Sequence, residues 1–101
     1  MKDGLKFDDQ KIRMDLLPFD ALEGIGKVLT FGAAKYGDNT WQNLENGKER
    51  YSAALLRHYT AIQKGGDLDA ESGLLHTAHM ATNALFLLWY DVQEQNKKEG
   101  K

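Results

Sequence analysis

Apolar residues recur along most of this 101-residue chain at steps of three and four, the spacing that lines up side chains on one face of an α-helix. Leu22, Ile25, Leu29 and Tyr36 predict a first helix over residues 18–36, with Pro18 suited to its first position and Gly37 to its termination. Tyr51, Leu55, Tyr59 and Ile62 give the inner face of a second helix over residues 48–64, which Gly65-Gly66 ends. A third helix starts near Asp69 or Ser72, either of which can cap it, and runs to about residue 95. Residues 1–17 show no helical order and read as an extended arm, residues 37–47 read as a turn-rich loop, and residues 96–101 as a fraying tail. The pattern predicts an all-α single domain over residues 1–101. Its three antiparallel helices form a bundle, and two copies pair into a larger one.

The third helix departs from a simple amphipathic pattern. Leu75, Ala78, Leu85 and Trp89 form one apolar stripe, and Met80, Ala84, Leu87 and Leu88 fill the positions between, so burial from several sides is expected. Yet His76, His79, Asn83, Phe86 and Tyr90 also share a stripe. Polar groups inside an otherwise apolar helix need hydrogen-bond or metal partners to offset their desolvation. That stripe, with the carboxylates just before it in DLDAESG, is the leading candidate site. Gly24, Gly26 and Gly32 each weaken the first helix by about 1 kcal/mol relative to alanine, for which close helix packing is the expected compensation.

Composition narrows the partners. Thirteen basic residues against fifteen acidic ones, a formal net charge of −2, make no broad basic field, which argues against polymeric nucleic acid and anionic membrane. The absence of cysteine rules out disulfides, thiolate zinc sites and thiol catalysis. The opening MKDGLKFDDQ lacks the apolar core of a signal peptide, and the run from Ala84 to Tyr90 is too short to span a bilayer. The chain is expected to be soluble and cytoplasmic.

Several side chains have chemistry to offer. His76 and His79, one helical turn apart, with Asp69 or Glu71 upstream, can converge on a divalent metal; the same imidazoles suit hydrogen bonding to phosphate or proton transfer. Arg50 and Arg57 lie one heptad apart and share an edge of the second helix beside His58, which reads on its own as a structural histidine. In the arm, Lys11 and Arg13 either pair with Asp8, Asp9 and Asp15 on the surface or fold back onto a phosphate. Tyr36 and Trp41 either close the core or stack on a nucleobase. GIGKVLTFG lacks the Lys-Ser/Thr ending of a P-loop, and Ser72-Gly73 is not a nucleophile elbow.

Taken as an ordered set, KFDDQKIRMDLLP, ALEGIGKVLTFGAAKYGDNTW, RYSAALLRHYTAI and DAESGLLHTAHMATNALFLL resemble the phage and prophage domain called the dATP/dGTP diphosphohydrolase N-terminal domain. That domain is similar to the MazG-type all-helical nucleotide pyrophosphohydrolases. The resemblance covers residues 6–90. It implies an all-α oligomer that converts purine deoxynucleoside triphosphates (dATP or dGTP) to monophosphate and pyrophosphate with a divalent metal. Lys11, Arg13, Lys35, Tyr36, Arg50, Arg57, His58, Asp69, Glu71, His76, His79 and Asn83 fall where that family's motif residues fall. Gly66 stands where a glutamate is expected and Ala70 where proline is common, and the second helix has no Glu-x-x-Glu pair of the kind that holds magnesium in MazG-type enzymes.

The expected function is hydrolysis of a purine dNTP. Glu71 and Asp69 are the catalytic carboxylates, and Glu71, His76 and His79 hold magnesium or manganese. Lys11, Arg13, Lys35, Tyr36, Trp41, Arg50, Arg57, His58 and Asn83 bind the nucleotide. The alternative is a non-catalytic protein on the same scaffold that sequesters a nucleotide, such as a defence signal, between subunits.

Overall fold

The computed structural model describes residues 11–100, which fold as three helices with no strand among them. The part of the arm that carries Lys6, Asp8 and Asp9 lies outside the described residues. Helix α1 spans Phe19–Tyr36, α2 spans Gly47–Gln63 and α3 spans His76–Lys98. Short 3-10 turns at Met14–Leu16 and Thr40–Asn43 precede α1 and α2. Pro18 caps α1, and Gly37, at a φ of +99° that disfavours a Cβ, ends it by returning its N–H to the Ala33 carbonyl. Helix α3 is the shared element, with both α1 and α2 packed against it.

The third helix starts at His76, one to two turns later than the cap residues Asp69 and Ser72 suggest. Residues 67–75 form a closed loop instead. A lone antiparallel bridge joins Leu68 to Leu75, the Asp69 N–H donates to the Leu74 carbonyl, and Gly73, at φ +72°, returns its N–H to the Asp69 carbonyl. The capping side chains are used within that loop: the Asp69 carboxylate accepts the Ser72 N–H at 2.8 Å. Asp and Ser compete with helix formation in this way because their short side chains reach nearby backbone. Past residue 95 the helix continues to Lys98.

Aromatic rings close one end of the α2–α3 pair. Trp41 stacks on Phe86 at 4.4 Å and meets the edge of Trp89 at 5.1 Å, and its carbonyl accepts the Tyr90 hydroxyl at 2.5 Å. Such aromatic pairs add roughly 0.5–1.5 kcal/mol beyond the area they bury. Trp41 thus closes the core, the first of its two expected roles.

Burial is the point on which the fold departs most from its hydrophobic pattern. Among the described residues no apolar side chain is sealed from solvent; the sealed side chains are Thr82, Asn83 and His76. Tyr59, expected inside, is 48 % exposed, and on α3 Leu88 is 62 % and Val92 43 % exposed. Of the α1 glycines only Gly24 approaches its neighbour, a Cβ there meeting that of Ala78 at 3.9 Å, while Gly26 and Gly32 face open space. Among the described residues no helix is long and apolar enough to cross a membrane.

Candidate functional site

The loop of residues 67–75 delivers its side chains to the first turn of α3, where the His76 N–H donates to the Asp67 carbonyl. His76 and His79 sit one turn apart on that helix, and His58 reaches them from the middle of α2. The His58 ring lies parallel to that of His79, with centroids 4.4 Å apart and planes 7° from parallel, and tilts against His76 at 5.1 Å. The Nδ1 atoms of His58 and His76 are 2.9 Å apart. Two nitrogens at that spacing either share one proton or grip one ion, because ligands bound at about 2.1 Å and at right angles stand about 3 Å apart.

Asp69 completes the group. One ligand atom each from His58, Asp69 and His76 can be chosen so that all three lie within 4.8 Å of one another. Two imidazoles and a carboxylate suit manganese, iron, cobalt or zinc better than magnesium, which prefers an all-oxygen shell. Ser72 organises the other side of the group. Its hydroxyl is 2.7 Å from His79 Nε2 and accepts the Leu74 N–H at 3.2 Å, while its own N–H holds the Asp69 carboxylate. Hydrogen-bonding partners of this kind orient metal ligands in known sites.

The structure therefore distributes the expected residues unevenly. His76 lies in the three-residue group with His58 and Asp69, while His79, expected as a metal ligand beside it, bonds Ser72 and comes within 3.7 Å of Asp69. Glu71 is exposed and ion-paired with Lys35, whose ammonium also stands over the Tyr36 ring at 5.1 Å. Asn83 donates its amide to the His79 carbonyl at 2.9 Å and so stays within its own helix. Arg13 forks onto Asp15 at 2.7 and 2.8 Å on the surface, and Lys11, Arg50 and Arg57 are exposed. Trp41 belongs with Phe86, seven residues beyond His79 and so about 10 Å further along the helix. Gly66 leaves room beside the group: a Cβ there would stand 3.6 Å from His76 Nε2 and 3.2 Å from the Ala61 carbonyl oxygen. The residue that sequence reasoning passed over is Ser72, read only as a helix cap. The D-x-x-S spacing, which lets an Asp side chain accept an N–H three residues on, was its available signal.

Burial makes two of the imidazoles, His58 and His79, harder to protonate. Burial pushes His58 below the ordinary histidine value, helped by the charge on His79 and opposed by Asp69. Burial likewise lowers His79, again against the pull of Asp69. For Asp69 itself burial acts upward, but the Ser72 N–H and hydroxyl, with His79 and His58, outweigh it and hold the carboxyl below its ordinary range. The consequence for stability has a definite sign. The unfolded histidines bind protons near pH 6.5 while the folded ones resist, so their contribution is fully present above pH 6.5 and is lost as pH falls below it. Asp69 acts in the same direction, only below pH 3.8. The midpoint of thermal unfolding, followed by circular dichroism, is expected to be level above pH 7 and to fall below about pH 6.5. The slope is at most about 1.4 kcal/mol per pH unit for each histidine, and His79→Asn should reduce it.

Comparison with known proteins gives this geometry a context. Residues 1–100 match the profile of the family described as dATP/dGTP diphosphohydrolase, N-terminal. A protein of Salmonella phage PMBT28 named dATP/dGTP diphosphohydrolase is 38 % identical over 86 residues, which are 85 % of this chain. The chain spans 29 % of that relative's length. No solved structure matches.

Proposed function

We propose that this chain, which belongs to the dATP/dGTP diphosphohydrolase N-terminal family, is a metal-dependent pyrophosphohydrolase that converts a purine deoxynucleoside triphosphate to monophosphate and pyrophosphate. The observation that carries the reading is the convergence of His58, Asp69 and His76 from three separate parts of the chain within 4.8 Å. A divalent cation held by them would set positive charge against the phosphate oxygens and acidify water. The protein's own contribution is order. Ser72 fixes the Asp69 carboxylate, and His79, kept neutral by burial, has Nε2 beside the Ser72 hydroxyl as a place for a proton. Lys35, Arg50 and Arg57 are the cations of α1 and α2 that the reading assigns to the triphosphate, and Lys35 must exchange Glu71 for it. Such a reaction belongs in the cytoplasm, with its nucleotide pool.

The test is incubation with dATP and dGTP in the presence of manganese or magnesium, with monophosphate and pyrophosphate measured. Both products are expected, faster with manganese. Intact triphosphate at high protein concentration with all common divalent metals removes the proposal. One observation favours the second reading, a non-catalytic nucleotide-sequestering protein: Asp69 is the sole carboxylate of the three-residue group, because Glu71 is engaged by Lys35. A loaded sample that returns unaltered nucleotide on heating would select it.

A further inference from the structure

The geometry points to Ser72 as a nucleophile, with His79 as its base, so that the nucleotide passes through a serine ester before water releases it. The inference rests on the pyrophosphohydrolase reading and deepens it. A serine hydroxyl is a weak nucleophile until a base stands within hydrogen-bond reach and is itself held in place by a third group. Both conditions are met. Ser72 Oγ lies 2.7 Å from His79 Nε2 and accepts the Leu74 N–H at 3.2 Å. In the tautomer this chemistry requires, the hydroxyl donates to Nε2 and the ring proton of His79 sits on Nδ1. The parallel His58 ring, 4.4 Å away, fixes the plane of His79. The Asp69 carboxylate, 3.7 Å from Nε2, favours the imidazolium that forms when the proton crosses, and the Leu74 N–H faces the oxygen as it becomes negative.

Position adds to the case. The Ser72 N–H holds the Asp69 carboxylate at 2.8 Å, so the hydroxyl stands against the same side chain that belongs to the His58–Asp69–His76 group. A triphosphate drawn to that group has Ser72 alongside. Ser72 is half-buried, and Gly73 after it is exposed, with no atom beyond its chain neighbours within 4 Å of where a Cβ would stand, so the crest of the loop is open to approach. Ser72-Gly73 lacks the strand-to-helix turn of a nucleophile elbow. The base comes instead from the first turn of α3, seven residues on, against which the loop of residues 67–75 closes.

The steps balance with water as the sole co-reactant. Ser72 Oγ forms a bond to the α-phosphorus while the bond from that phosphorus to the bridging oxygen breaks; pyrophosphate leaves with the electron pair, and the hydroxyl proton passes to His79 Nε2. Water then attacks the same phosphorus. The bond to Ser72 Oγ breaks, His79 returns its proton to the serine, and the second proton of the reaction, lost by the water, goes to solvent with the monophosphate. Each displacement inverts the phosphorus, so the two together retain its configuration, whereas direct attack by water inverts it once.

Stereochemistry tests the course on the unaltered protein. One diastereomer of the α-thio analogue of dATP, turned over with manganese in heavy-oxygen water, is expected to give the thio-monophosphate with its configuration retained. Radiolabelled pyrophosphate is expected to enter unlabelled dATP during turnover, because the first step runs backwards from the serine ester. Ser72→Ala keeps the backbone N–H that holds Asp69, so manganese affinity, measured by competition with a chelator, should stay within about twofold, while the exchange falls about a thousandfold or more. Inversion at phosphorus, turnover without exchange, or exchange that survives Ser72→Ala would each overturn the serine course and leave the hydrolase reading standing. Failure of both dATP and its analogue to react would remove the two together. Loss of manganese affinity in step with exchange would reduce Ser72 to a support for Asp69 and overturn its role as nucleophile.

Discussion

Asp69→Asn is expected to lower the proposed metal-dependent release of pyrophosphate by about a thousandfold or more while leaving the chain folded. The carboxylate is the one acidic group beside two imidazoles, and the several kcal/mol that a bound metal contributes to such chemistry depend on its being held. Asparagine keeps the shape and can still accept the Ser72 N–H through its side-chain oxygen, so the loop of residues 67–75 should survive. What it loses is charge. Manganese affinity, measured by competition with a chelator, should fall together with turnover, and a modest loss of stability should accompany it because the folded state favours the ionised form of Asp69. Glu71→Gln is the informative comparison, since the sequence casts Glu71 as a metal ligand while the structure ties it to Lys35 at the surface. Its expected effect is a raised KM from the altered Lys35, with metal affinity retained. Equal loss of metal affinity from both substitutions would transfer the role to Glu71.

How much of this was legible depended on whether the cause was local. Helices α1 and α2 were readable to within a residue or so because Pro18, Gly37 and Gly65 act on their own backbone. The start of α3 was misplaced because Asp69 and Ser72 are good helix caps in isolation, and nothing in their identity says that they bond to each other instead. The bridge from Leu68 to Leu75 and the positive φ at Gly73 settle the matter only once the loop has closed. For the site, His76 was visible from its own helix, as a polar residue on an apolar element. His58 was named only as a nucleotide-binding residue, and its place beside Asp69 and His76 depends on the register between α2 and α3, which no periodicity within either helix encodes. The apolar count of α3 led to an expectation of burial from several sides, but in the single chain Leu75, Leu88 and Val92 stay exposed, and which side does so follows from where α1 and α2 pack.

Gly47→Ala is expected to lower the unfolding midpoint by about 5–15 °C, an effect out of proportion to one methyl group. Gly47 is buried at the first position of α2, and a Cβ there would lie 2.7 Å from the Tyr90 hydroxyl oxygen, 2.9 Å from Cζ and 3.1 Å from Cε2. The ring has to move. Its hydroxyl then leaves the Trp41 carbonyl, and Trp41 is the residue that stacks on Phe86 and closes the aromatic end of the α2–α3 pair. Overpacking of this kind costs roughly 1–3 kcal/mol, more than the 0.5–1 kcal/mol by which alanine improves on glycine in a helix. Gly26→Ala separates the two contributions, because nothing stands within 4 Å of a Cβ at that position, and there the propensity gain should raise the midpoint. Tyr90→Phe completes the comparison by removing the atom nearest the clash. If steric pressure on the phenol is the cause, the double variant Gly47→Ala, Tyr90→Phe should lose less stability than the two single losses together. Simple additivity in thermal melts would instead place the fault in the α2 backbone.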